Sequence, residues 1–257
     1  MLGRDGDCQR VQAEAIAQLK LLDVETQTQL GGLEKLWSGL DAVVHDHPEA
    51  FQESLQWLLP DLSDRSEIEV DLLSKLVLAC GDVSLVPFVH VGKGAIAASR
   101  AALKAGCHVV TDVPLIHAAL DHTRLAHLGC ATEILMDDRH ITSVAEAEQA
   151  FWQDSAWKAQ LHHLPKNCIV VVGYAPSALL AVCDAIAQHH LHPALVIGMP
   201  IGFSHAPAAK RQLMQSDVPF ITLDGTIGGG LLAAVALNAI VASTIEKPNC
   251  HCYLSKA

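Results

Sequence analysis

The sequence predicts a doubly wound, mostly parallel α/β sheet with helices on both faces, together with a helical extension at the amino terminus. Three observations carry this reading. Short apolar runs recur at Cys168–Val172, Ala194–Ile197 and Phe220–Leu223. A turn bearing glycine or proline follows each run, and a helical stretch follows each turn. Runs this continuous and this rich in β-branched residues suit parallel strands, which crossover helices bury on both faces.

The elements follow in order. In residues 1–47, Ala13, Ile16, Leu19 and Leu22 keep helical spacing, and Leu33, Leu36 and Leu40 keep it again after a break at Gly31-Gly32. His47-Pro48 ends this extension, because the residue before proline is driven out of the helical region. Residues 48–245 form the α/β domain and 246–257 a tail. Helices are expected over Glu49–Leu59, Glu67–Ala79 and Ile96–Ala105, the last stopped by Gly106. Cys107–Thr111 reads as a strand. No clear strand precedes Gly92-Lys93-Gly94, which weakens it as an anion-binding turn.

Composition excludes several functions. The chain has 257 residues, with 17 Lys and Arg against 28 Asp and Glu, for a net charge of −11. No basic cluster stands out, so a nucleic-acid partner is not expected. The hydrophobic fraction is 51% and the mean hydropathy +0.29, enough for a sizeable core. No apolar run reaches the ~18 residues of a membrane helix, and the first residues lack a secretory core. A cytoplasmic location with reduced thiols is therefore expected. Cys250-His251-Cys252 offers too few ligands for zinc, and His162-His163 and His189-His190-Leu191-His192 match no metal-binding spacing. No metal is expected.

In open sheets of this kind, ligands bind beyond the carboxyl ends of the strands. The candidate segments are Asp112-Val113-Pro114, Gly173–Ser177, Gly198–Phe203 and Asp224–Gly230. The run Gly225–Gly230 opens a helix, where bare amides can hold an anion. Its spacing fits neither a dinucleotide fingerprint nor a P-loop, and tight packing through small residues explains it equally simply. No serine elbow or cysteine nucleophile context is present.

These segments resemble the precorrin-8X methylmutase family from about His47 to Ser243. ALVIGMPIGF at 194–203 is similar to the family's ALIIGMPVGF, and GYAPSAL at 173–179 to GNAPTAL. GGGLLAAVALNA at 228–239 resembles GGSxxAAAALNA. ALKAG at 102–106 followed by Asp112 matches ALxAG, and HPEAFQESL at 47–55 resembles HPxxIExxSF. The resemblance implies a cofactor-free homodimeric isomerase that moves a methyl group of a corrin precursor from carbon 11 to carbon 12. A histidine protonates the macrocycle in that chemistry, a task suited to a side chain titrating near neutrality.

Departures from the family pattern bear on activity. The histidine of its IHAxG motif corresponds to Leu78 in Val77-Leu78-Ala79-Cys80-Gly81. Arginines of its DxRMV, TRSA and GRRGGS motifs are missing from Asp112–Ile116, Ile141–Val144 and Gly225–Gly230. Arginine binds the carboxylates of a corrin precursor through charge-assisted pairs, so their loss weakens the hold on a polyanion. His205 and His90 are the candidate substitute proton donors, with His117 a further histidine near the strand ends. The resemblance places Ser54, Cys80, Asp112, Ser143, Tyr174, Ser177, Gly202, Phe203, Lys210, Gly228, Gly229 and Gly230 at the ligand. The expected function is methylmutase-like isomerisation. The alternatives are a silent homologue that binds, carries or senses a tetrapyrrole, and an enzyme of a less anionic substrate.

Overall fold

Strands β1 (Val89–Val91), β2 (His108–Thr111), β3 (Ala131–Ile134), β4 (Ile169–Val172), β5 (Leu195–Gly198) and β6 (Phe220–Leu223) build one sheet. Their order is β1-β6-β5-β4-β2-β3, with every pairing parallel except β1 against β6. The computed structural model describes residues 65–137 and 141–245. All but Arg65 and Ser66 of these belong to the unit Glu67–Pro248. The predicted extension 1–47, the helix Glu49–Leu59 and the tail 246–257 lie outside the described residues. So do Ser54 and Cys250-His251-Cys252.

Among the described residues the helices are α1 (Glu67–Cys80), α2 (Ala95–Lys104), α3 (Pro114–Ala118), α4 (His122–His127) and α5 (Val144–Gln153). Then come α6 (Ala156–Leu161), α7 (Pro176–Ala187), α8 (Ala206–Met214) and α9 (Gly230–Ile245). α9 packs against α1, α2, α3 and α4 on one side of the sheet, while α7 packs against α5, α6 and α8 on the other. This is the doubly wound arrangement that the apolar runs predict. Every residue of β4 is fully buried, as the IVVV sequence demands of a central strand.

Local chemistry accounts for the boundaries. Gly106 follows α2 with φ +71, the left-handed stop expected there. Pro114 stands in the first turn of α3, where its missing N–H costs no helical bond. Asp121 caps α4 by accepting from the Arg124 amide at 3.0 Å. One expectation is corrected: a strand, β1, does precede Gly92-Lys93-Gly94. Its three residues carry no visible pattern alone and are held by β6, with His90 opposite Thr222.

Candidate functional site

The carboxyl ends of β2, β4, β5 and β6 converge on one cluster of loops, held from beneath by two buried ionisable side chains. Asp112, directly after β2, is fully buried. Its Oδ2 accepts hydrogen bonds from the amides of Gly173 at 3.1 Å, Tyr174 at 2.8 Å and Ala175 at 3.1 Å. Its Oδ1 accepts from the Val113 amide at 3.0 Å. Burial pushes this carboxyl up to about 6, while the four amides pull it the other way. Asp112 was expected at the ligand. Its oxygens instead face inward and fix the turn that presents Tyr174.

Lys210 is the second buried group. It lies on α8, is fully buried, and donates from Nζ to the Ile227 carbonyl at 2.5 Å. Burial drives its ammonium down to about 8, with nearby Asp224 opposing. The resemblance places Lys210 at the ligand. The structure makes Lys210 a strap beneath the glycine run, because its stem is enclosed by the helix and loop that carry it.

The glycines serve close packing at two of their three expected positions. A Cβ on Gly228 would collide with the Met199 carbonyl oxygen, and one on Gly230 with the Tyr174 ring. Gly229 faces open space at φ +131, and its amide donates to the Met199 carbonyl at 2.7 Å. Gly202 donates to the Thr226 carbonyl at 3.2 Å, so the loops after β5 and β6 are laced together.

Above this frame the surface is open. Phe203 is 90% exposed, and His205 is exposed at the start of α8. Tyr174 is half-buried, with its phenol raised by burial and by the Asp112 carboxylate. The Ser177 hydroxyl is buried without a hydrogen-bond partner, while its amide donates to Glu148 Oε1 at 2.8 Å. Sequence reasoning missed Glu148, which reaches the start of α7 from α5 and leaves no motif.

Other expected site residues are placed elsewhere. Ser143 is the amino-terminal cap of α5: its Oγ accepts from the Glu146 amide at 3.2 Å, and its own amide donates to Glu146 Oε2 at 3.0 Å. The Ser-x-x-Glu spacing in Ser143–Glu146 could have revealed this. His90 is exposed on edge strand β1. His117 shares a hydrogen bond of 2.9 Å with Thr132 Oγ1. Burial, then the neighbouring His122, lowers the basicity of His117.

Leu78 and Cys80 lie at the end of α1, both exposed. Leu78 lines an open groove of about 410 Å³ with Lys75, Asp121, Arg124 and Asn238 among its neighbours. Asn238 clasps the wall of this groove, accepting from the Asp121 amide at 2.9 Å and donating to the Ala119 carbonyl at 2.9 Å. Among the described residues, those lining it include no histidine. Asn238 is eight residues along α9 from Gly230, about 12 Å at the helical rise. The groove and the strand-end loops are thus two regions joined by one helix.

The comparisons agree with this architecture. The family model described as precorrin-8X methylmutase matches residues 49–243. A cobalt-precorrin-8 methylmutase of Leptospira interrogans is 29% identical over 180 residues, 67% of this chain and 82% of the relative. A precorrin-8X methylmutase of Sinorhizobium is 31% identical over 186 residues, covering 70% and 86% respectively. The crystal structure of the Thermus thermophilus precorrin-8X methyl mutase superimposes with a TM-score of 0.60 at 30% identity, covering 75% of this chain and 96% of that one. By the match over residues 49–243 and by the shared fold, this chain belongs to the precorrin-8X methylmutase family.

Proposed function

We propose that the chain is an isomerase of corrin biosynthesis that moves a methyl group within a corrin precursor. The observation that carries this is the family match over residues 49–243, which takes in every strand and helix described above except the last two residues of α9. The surface beyond the strand ends suits a flat macrocycle. Phe203 and Tyr174 offer aromatic faces, and the Ser177 hydroxyl is an unused donor for a peripheral carboxylate.

Leu78 stands where the resemblance puts the family's proton-donating histidine, and a leucine has no proton to give. We assign that role to His205, which is exposed at the start of α8 beside Phe203. An imidazole there protonates the macrocycle as the methyl group migrates and takes a proton back from the rearranged ring, so the isomerisation leaves the proton count unchanged. The protein works as a cytoplasmic homodimer in this reading.

An absorbance time course of the purified protein with precorrin-8X tests the proposal. Conversion to the spectrum of hydrogenobyrinic acid supports it. A shifted spectrum that stays constant would replace it with binding without turnover. An unchanged spectrum would remove the corrin ligand altogether.

A further inference from the structure

Two helix-to-strand joins repeat one another at the amino end of the sheet. The chain leaves α2 through Gly106, at φ +71, and Cys107 before β2. It leaves α4 through Gly129, at φ +72, and Cys130 before β3. β2 and β3 are parallel neighbours with His108 opposite Ala131, so the register sets Cys107 beside Cys130. The backbones are close at this point: a Cβ on Gly106 would lie 3.1 Å from the Gly129 carbonyl oxygen. Adjacent strands run about 4.7–4.9 Å apart, within the ~4.4–6.8 Å between Cα atoms that disulfides span. Both thiols are half-buried and unoxidised, and they interact with one another. Cys168, before β4, is fully buried and enters the register opposite His108, one step further into the sheet.

We propose that Cys107 and Cys130 are a reversible thiol–disulfide pair, oxidised by a peroxide. The Cys130 thiolate attacks one oxygen of hydrogen peroxide, the O–O bond breaks, and a sulfenic acid and hydroxide result, the hydroxide taking up the proton that the thiol released to give water. The Cys107 sulfur then attacks the Cys130 sulfur. The S–S bond forms as the S–O bond breaks, and the Cys107 proton leaves with the hydroxide as a second water. A dithiol reductant reverses the change.

The bond would tie edge strand β3 to β2 and close the segment carrying α3 and α4. That segment includes Asp121 and Arg124 of the groove wall, so oxidation would stiffen one side of the groove. Burial pushes the Cys107 thiol up to about 12 and raises Cys130 as well, with the Cys107 hydrogen bond easing the rise at Cys130. Attack on the peroxide needs the thiolate, so oxidation accelerates as pH rises.

The test treats the full-length protein with hydrogen peroxide, alkylates remaining thiols, and digests it with trypsin without reductant. Cleavage after Lys104, Arg124 and Arg139 separates the two cysteines onto peptides 105–124 and 125–139. The expected product is these peptides joined, lighter by two hydrogens, separable with dithiothreitol and absent from Cys130→Ser and Cys107→Ser. Oxidised wild-type protein should melt higher than reduced protein, with no such shift in Cys130→Ser. Recovery of both peptides alkylated, or of either cysteine only as a sulfinic acid or linked elsewhere, would overturn the proposal.

Discussion

Gly173 and Gly230 meet backbone to backbone where β4 passes under the start of α9. A methyl on Gly173 would lie 2.7 Å from the Gly230 Cα and 2.8 Å from Ile116 Cδ1. Neither backbone nor the enclosed isoleucine can yield cheaply, so Gly173→Ala should destabilise by about 1–3 kcal/mol through overpacking. A lower urea midpoint with an unchanged slope is the expected result. An unchanged midpoint would show that α9 shifts without cost.

Asp112→Asn should lower stability by about 1–3 kcal/mol at neutral pH. One face of an amide side chain donates, so it leaves either the Val113 amide or those of Gly173, Tyr174 and Ala175 without an acceptor. The pH dependence has a defined sign. The folded carboxyl titrates near 6, above its ordinary value of 3.8. As pH rises between these values the unfolded chain releases its proton first, so this group's contribution to stability falls. Denaturation midpoints across that window should show the decline in the parent and lose it in Asp112→Asn.

Lys210 gives the opposite slope. Its folded value near 8 lies below the ordinary 10.5, so the unfolded chain holds more protons between the two. Stability from this group rises with pH across that interval. Lys210→Met should abolish the rise and free the Ile227 carbonyl. Hydrogen exchange should then quicken at residues 226–229, and unchanged exchange would deny the strap.

Ser177 separates a ligand role from a structural one. Its hydroxyl is buried with no partner, so Ser177→Ala should leave stability unchanged or slightly improved. Affinity for the corrin precursor should fall by about 1 kcal/mol, roughly fivefold, if the hydroxyl serves the ligand. Equal affinity in a titration would assign it no such role.

His205→Ala should reduce turnover of precorrin-8X by about 100-fold, the usual contribution of a positioned acid. The residue is exposed, so the melting temperature should not change. Leu78→His added to that variant should restore turnover if both positions address the same ring. No recovery would place the groove and the reacting carbon apart.

Much of the sheet was legible in the sequence because its central strands are apolar on both faces. The run Phe220–Leu223 coincides with β6, and the runs at 168–172 and 194–197 differ from β4 and β5 by one residue at their ends. β1 and β3 escaped because edge strands are short and half-exposed, so no unbroken apolar run marks them. The site was legible as segments, not as roles. The resemblance places Asp112 and Lys210 at the ligand, yet a linear sequence does not say whether a charge faces inward. Ser143 resembled a ligand contact, although its Glu146 partner already marked a cap.

By itself, the sequence determined the fold class, the family and the four segments that meet beyond the strand ends. Hydrophobic periodicity and turn residues are local properties, and a family's motifs are carried in order along the chain. Only the tertiary structure decided that Asp112 and Lys210 hold loops in place, and that Gly228 and Gly230 make room for a neighbouring turn and ring. It likewise decided that Cys107 lies beside Cys130, 23 positions along the chain. Those outcomes depend on burial and strand register, which arise only when distant segments pack together.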